Sequence, residues 1–132
     1  MAKNNRRLYD TGMSPVNLIL RFLLELSALT AFAMCVWGST AGIWRFVCAI
    51  LVITGLAVIW GVFAVPDDPS RSGAAPVPIP GVFRLLLELL ILGGSGLAFF
   101  QAGLPLFGGL QIVLVAFHYA FSIDRIRWLL EQ

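Results

Sequence analysis

Residues 21–26 read Arg-Phe-Leu-Leu-Glu-Leu, and residues 84–89 repeat the pattern as Arg-Leu-Leu-Leu-Glu-Leu. Each copy lies inside a hydrophobic run long enough to cross a membrane. A charge at the middle of a transmembrane helix costs about 2.5–3.5 kcal/mol, so such residues usually face the protein interior and mark a site or a structural contact. The repeated pair predicts two related helical hairpins whose four charges meet near one axis.

The composition predicts an integral membrane protein. The chain has 132 residues, of which 59% are hydrophobic and 12% are charged, and its mean hydropathy is +0.90. A soluble domain of this size carries about 25% charged residues. Because each span needs about 20 apolar residues, the chain can hold four helices and no soluble catalytic domain. A net charge of +2 gives no electrostatic support for nucleic-acid binding.

Prolines and polar residues divide the chain into five segments. Ser14-Pro15 offers a capping hydroxyl and a first-turn proline to the first helix. The predicted segments are a cytoplasmic N-terminal segment 1–15, a first transmembrane hairpin 16–65, a proline-rich cytoplasmic linker 66–80, a second transmembrane hairpin 81–123 and an amphipathic cytoplasmic tail 124–132. Within the hairpins, helices are predicted at 16–37, 43–65, 81–101 and 105–123. The tail alternates charged and apolar residues, which predicts a short helix on the membrane surface.

The distribution of Lys and Arg predicts the orientation. One side of the membrane holds six basic residues: Lys3, Arg6, Arg7, Arg71, Arg125 and Arg127. The two short turns on the other side contribute only Arg45. Because basic residues accumulate on the cytoplasmic side, both termini and the linker are predicted to be cytoplasmic. With two helices in each half, the halves form a parallel repeat about an axis along the membrane normal. The predicted fold is an all-α, four-helix transmembrane bundle.

Several segments together resemble the YrdB family of small bacterial membrane proteins. They are the first Arg-Glu segment, the Trp-Gly-Val-Phe-Ala-Val-Pro sequence at 60–66, the proline-rich linker, the second Arg-Glu segment and the Asp-Arg-Ile-Arg-Trp-Leu-Leu sequence at 124–130. The similarity covers nearly the whole chain beyond the first dozen residues. It implies a four-helix protein of the bacterial plasma (inner) membrane, grouped as a domain of unknown function, and it implies no activity.

The candidate site combines the repeated charges with two residues at the same depth. In each copy the arginine and glutamate are four residues apart and share one helix face. Arginine can extend back to the headgroups, whereas a glutamate at mid-depth cannot. His118 and Trp60 lie at matching levels of the fourth and second helices. The candidate residues are therefore Arg21, Glu25, Arg84, Glu88, His118 and Trp60.

Two interpretations of these charges remain open. In the first, Arg21 pairs with Glu88 and Arg84 pairs with Glu25, and this quartet is a structural clamp in a non-catalytic membrane subunit or scaffold. In the second, an imperfectly paired glutamate exchanges protons, and the cluster binds a small anionic or zwitterionic solute in a small-solute or ion-coupled transporter. A hydrogen-bonded interior position is the commoner role for a lone membrane histidine. Asp67 and Asp68 are expected to be solvated turn residues.

The expected partners follow from the same residues. The lipid bilayer is the first, and a second copy of the chain or another membrane protein is the next, with the linker and tail as contact points. An enzyme is not expected, because the sequence contains no phosphate-binding loop, paired-cysteine motif or nucleophile elbow. No cofactor is expected, and two cysteines with one histidine cannot form a four-ligand zinc site.

Overall fold

The computed structural model describes residues 14–71 and 74–132. In these residues the chain forms five helices and two short strands: α1 Pro15–Ser39, α2 Trp44–Val62, β1 Phe63–Ala64, β2 Val77–Pro78, α3 Gly81–Gln101, α4 Pro105–Ala120 and α5 Ile123–Leu130. The predicted all-helical architecture is confirmed. The predicted N-terminal segment lies outside the described residues except for its last two positions.

The helix ends follow the local sequence. The Asn17 backbone N–H donates to the Ser14 hydroxyl at 3.2 Å, and Pro15 occupies the first turn, so the predicted start of α1 is confirmed. The predicted extension of the second helix to residue 65 was wrong. α2 ends at Val62 because the next two residues pair in parallel with β2, and the Ile79 N–H donates to the Ala64 carbonyl at 2.9 Å.

Among the described residues, three helices are long and apolar enough to cross a membrane, namely α1, α2 and α3. α4 has 16 residues and is about 24 Å long, which is less than a hydrocarbon core of about 30 Å. α4 and α5 qualify together as a fourth span, but they are bent by 72° at the break between them. The predicted single helix 105–123 was therefore wrong at its end, because the chain turns at Phe121 and Ser122.

α1 and α3 form the centre of the molecule. α1 packs against α2, α3 and α4, and α3 packs against α4 and α5. The largest apolar cluster of the described residues comprises Leu24, Ala28, Ile91, Leu92, Val115 and Tyr119. α2 lies at the periphery, since none of its residues is buried within the described structure. α2 and α4, which the predicted repeat would make equivalent, therefore differ in burial, and the repeat stays a prediction.

Glycines allow two close helix contacts. A Cβ added at Gly108 would lie 2.8 Å from the Gly96 carbonyl oxygen, so these glycines let α4 approach α3. A Cβ added at Gly81 would overlap the Leu129 backbone, so the start of α3 lies directly against α5. The tail was predicted to lie along the membrane surface. α5 packs on the protein, with Arg125 and Leu129 buried, and its position relative to the membrane surface stays a prediction.

Candidate functional site

Glu88 lies at the centre of a charged cluster, and its side chain is 0% exposed. It follows Gly81 by seven residues, about 10 Å along the axis of α3. Its Oε1 atom accepts hydrogen bonds from Arg21 Nη2 at 2.7 Å, Arg84 Nε at 3.0 Å and Arg125 Nη2 at 2.7 Å. Three guanidinium groups, from α1, α3 and α5, therefore share one carboxylate oxygen.

The second oxygen of Glu88 is equally occupied. Oε2 accepts from Arg125 Nη1 at 2.8 Å, from the Tyr119 hydroxyl at 2.9 Å and from Arg21 Nη1 at 3.3 Å. Arg21 and Arg125 thus each bind the carboxylate through two nitrogens, which is the strong bidentate geometry. A carboxylate offers about four lone-pair positions, and six donors surround this one. Arg21, Arg84, Glu88, Tyr119 and Arg125 are hereafter called the Glu88 cluster.

Arg84 also connects the cluster to the end of α2. Its Nη1 atom donates to the Trp60 carbonyl at 2.7 Å and to the Phe63 carbonyl at 2.5 Å. The last carbonyls of a helix have no intrahelical partner, so this contact satisfies them. The Arg84 and Arg21 guanidinium carbons lie 4.6 Å and 5.3 Å from the centre of the Trp60 ring. Trp60 therefore forms an aromatic wall beside both arginines.

The linker enters the site through Asp68. Arg125 Nη2 donates to Asp68 Oδ2 at 2.8 Å, and Arg125 Nε donates to the Ser70 hydroxyl at 2.9 Å. The Ser70 N–H and hydroxyl both donate to Asp68 Oδ1. Burial alone would raise the pKa of Asp68, but the Arg125 charge and the Ser70 hydrogen bonds outweigh it and lower that pKa. The prediction that Asp68 is a solvated turn residue was wrong.

Glu25 has a different environment from Glu88. Its side chain is 25% exposed, and its polar contact within the described residues is Arg21 Nε at 3.2 Å. The predicted pair of Arg21 with Glu88 is present. The predicted pair of Arg84 with Glu25 was wrong, because Arg84 binds the glutamate of its own helix instead. The predicted symmetric quartet is thus replaced by three arginines around Glu88, with Glu25 at the margin.

The site carries balanced charges. Three arginines face three acidic residues, namely Glu25, Asp68 and Glu88, so the group is neutral when all six are ionised. Removing two charges from water costs several kcal/mol per ion, and only good geometry with further hydrogen bonds compensates that cost. The contacts around Glu88 meet this requirement. Glu25, with a single ion pair, does not.

His118 belongs to a neighbouring network. It is fully buried, and its Nδ1 lies 2.8 Å from Asn17 Oδ1. The Asn17 amide nitrogen donates to the Ser122 hydroxyl at 2.8 Å, and that hydroxyl donates to the His118 carbonyl. Asn17 Oδ1 is therefore the acceptor, and Nδ1 of His118 carries the proton. Its Nε2 has no hydrogen-bond partner in the described part of the chain. Tyr119, the next residue, connects this network to Glu88.

A second polar contact lies deeper between the helices. The Gln111 amide nitrogen donates to the Ser95 hydroxyl at 2.9 Å, and the Ser27 hydroxyl donates to Gln111 Oε1 at 2.9 Å. The same nitrogen reaches the Leu24 carbonyl at 3.4 Å. α1, α3 and α4 are thus joined by hydrogen bonds across their interface, as is common for polar side chains between membrane helices.

The structure brings five of the six predicted site residues together, and His118 lies beside them without a hydrogen bond to the cluster. Arg125, Asp68 and the role of Tyr119 were not predicted. The spacing of Arg125 and Leu129 places both on one helix face, which was the available signal for a face packed against protein. No group of three or more potential metal ligands occurs among the residues that the structure describes.

Comparisons with known proteins agree with the resemblance seen in the sequence. Residues 19–116 match the model of a family described as "Protein of unknown function (DUF2568)". The chain is 38% identical over 120 residues to "Uncharacterized protein YrdB" of Bacillus subtilis (strain 168), covering 91% of this chain and 98% of that protein. No solved structure matches the chain significantly. The predicted resemblance to the YrdB family is confirmed, and the chain belongs to the DUF2568 family of proteins of unknown function.

Proposed function

We propose that this protein is a non-catalytic scaffold or subunit of the bacterial inner membrane, with the Glu88 cluster as its structural clamp. The six hydrogen bonds on the Glu88 carboxylate carry this proposal. They leave that carboxylate without a free position for a solute. They also tie α1, α3, α4 and α5 to one point, as a clamp requires, and Arg125 in turn binds Asp68 of the linker.

The proposed topology has four spans, with the bent pair α4 and α5 as the fourth. The starts of α1 and α3 and the ends of α2 and α4 lie at the end of the bundle that holds the cluster. The same end carries the basic residues of the linker and tail, which supports its assignment to the cytoplasm. Cysteine-accessibility labelling from each side of the membrane tests this topology. A cysteine introduced at Ala41, in the turn between α1 and α2, should be labelled only from the opposite side. Labelling of this cysteine from the cytoplasmic side would contradict the topology.

A scaffold needs a surface that binds its partner. The linker and the tail were predicted to supply this surface. Both are partly occupied by contacts within the protein. α2 is the alternative, because it packs chiefly on α1 and has open space beside Gly55. Small residues allow close approach of another membrane helix. We expect the partner, a second copy of the chain or another membrane protein, to bind this helix.

A photo-crosslinking residue in place of Leu51 on α2 tests the scaffold directly. Leu90 on α3 is the matched control, because the two side chains are 66% and 72% exposed. The proposal predicts a protein adduct from position 51 in intact cells, with much less from position 90. The mass of the adduct distinguishes a second copy from another protein. Lipid adducts alone at both positions would contradict the proposal.

Small-solute or ion-coupled transport is the second candidate, and the partly exposed carboxylate of Glu25 favours it. Liposomes containing the purified protein separate the two functions. The scaffold predicts a proton or solute flux equal to that of protein-free liposomes. A flux that depends on the protein and disappears in Glu25→Gln would replace the scaffold with a transporter.

A further inference from the structure

In the proposed topology, Glu25 is a carboxylate near mid-depth, and its pairing is incomplete. It follows Pro15 by ten residues, about 15 Å along α1, which is half of a hydrocarbon core of about 30 Å. Its side chain is 25% exposed, and its neighbours Phe22 and Leu26 on the same helix are exposed as well. In the proposed membrane, this part of α1 faces lipid. A charge in this position is costly unless it is paired or neutralised.

The charged groups around Glu25 leave it only one direct contact. On its own helix, Arg21 reaches it through Nε, while both terminal nitrogens of Arg21 bind Glu88. On α3, Arg84 and Glu88 act on it from a greater distance. α2 places the Trp60 ring beside Arg21, and its Arg45 lies at the opposite end of the helix. On α4, the polar atoms of Tyr119 and His118 face Glu88 and Asn17.

We propose that Glu25 is a reversible proton-binding site within the membrane. Uptake of one proton that originates in the cytoplasmic water converts the carboxylate into a neutral acid, and release returns that proton to the same water. Arg21 stays protonated and keeps its two hydrogen bonds to Glu88, so the charge of the site changes from zero to +1. This site goes beyond the proposed clamp, because it uses the one carboxylate that the clamp leaves exposed.

Dicyclohexylcarbodiimide, an apolar reagent that enters the bilayer, tests the proposal on the full-length protein in liposomes. The protonated carboxyl group adds across a C=N bond of the reagent, and the O-acylisourea formed rearranges to a stable N-acylurea that retains the mass of the reagent. Peptide mass spectrometry then gives the extent of labelling at each glutamate. We expect labelling at Glu25 in the folded protein, with a rate that falls about tenfold for each pH unit once the ionised form predominates.

Glu88 is the internal control, since it carries the same reactive group in a fully buried position. It should remain unlabelled in the folded protein and react after denaturation in detergent. Glu25→Gln should abolish the labelling while the thermal unfolding temperature stays close to that of the native protein. Two results would overturn the proposal: a Glu25 that reacts only after denaturation, or a labelling rate that does not change between about pH 5 and pH 9. Failure of the clamp would instead appear as labelling of Glu88 in the folded protein.

Discussion

The two Arg-x-x-x-Glu motifs share a sequence pattern but differ in what surrounds them. On α3, Glu88 is buried and receives six hydrogen bonds from four side chains. On α1, Glu25 is partly exposed and has one ion pair. The difference arises from segments distant in sequence, because Arg125 and Tyr119 both reach α3 and leave α1 without equivalents. A repeated motif therefore does not imply a repeated role.

Substitution of Arg125 should lower the free energy of unfolding more than substitution of Tyr119 or Asp68. Arg125→Gln removes two hydrogen bonds from Glu88 and the ion pair of Asp68, and it leaves a buried carboxylate with fewer cations. Breaking one side of a buried ion pair typically costs about 3–5 kcal/mol. We expect a decrease of this size in the free energy of unfolding in detergent. Arg127→Gln, two residues further along on the exposed face of α5, is the control and should change stability little. Equal effects of the two substitutions would contradict the role of Arg125.

Removal of the Tyr119 hydroxyl should have an intermediate effect. Tyr119→Phe keeps the ring in the apolar cluster and deletes one hydrogen bond to Glu88 Oε2. A hydrogen bond to a charged group contributes about 1.5–3 kcal/mol. Chemical denaturation in mixed micelles should show a loss within this range. A stability equal to that of the native protein would mean that five donors already satisfy the carboxylate.

The ion pair between Asp68 and Arg125 should contribute less to the free energy of unfolding than the Tyr119 hydroxyl does. Its contribution should also depend on pH. Asp68→Asn keeps an acceptor for Ser70 and loses the charge that faces Arg125, so we expect a loss of about 1 kcal/mol. The pKa of Asp68 is lowered from 3.8 by folding, so its contribution is complete above that value and disappears as the pH falls below it. The stability difference between native and variant protein should therefore shrink only in acid.

Trypsin cleavage after Arg71 provides an independent measure of the same contact. If the Asp68–Arg125 ion pair holds the linker, Asp68→Asn should increase the cleavage rate in the folded protein. Asp67→Asn is the matched control, because Asp67 is exposed and asparagine tolerates its positive φ of 62°. A similar cleavage rate in the two variants would show that the linker is held by other contacts.

The sequence was sufficient for most of the fold. Hydrophobic runs of adequate length, a proline-rich linker and a Ser-Pro helix start are local features, and local physics determines what they form. The end of α2 and the bend after α4 were not predictable in this way. The first depends on pairing with β2, more than ten residues later, and the second depends on the hydrogen bond that the Asn17 amide of α1 donates to the Ser122 hydroxyl.

The site was only partly predictable for the same reason. The repeat identified Arg21, Glu25, Arg84 and Glu88, because charges in a hydrophobic run are conspicuous. The repeat contained no information on which of the two glutamates would accept hydrogen bonds from Arg125 and Tyr119. The alternating pattern of the tail predicts an amphipathic helix, but such a helix can bury its apolar face in lipid or in protein. In the structure the Leu129 backbone packs against Gly81, and Arg125 reaches Glu88 from the same face of α5.

The free energies of unfolding of Glu88→Gln and Glu25→Gln, compared in the same detergent at neutral pH, test the central claim most directly. In Glu88→Gln an amide that donates hydrogen bonds replaces the acceptor that three guanidinium groups share, so we expect a loss of about 3–5 kcal/mol. In Glu25→Gln one ion pair at the margin of the cluster is lost while the six hydrogen bonds of Glu88 stay in place, so we expect a change of at most about 1 kcal/mol. Equal losses in the two variants, or a larger loss in Glu25→Gln, would contradict the account.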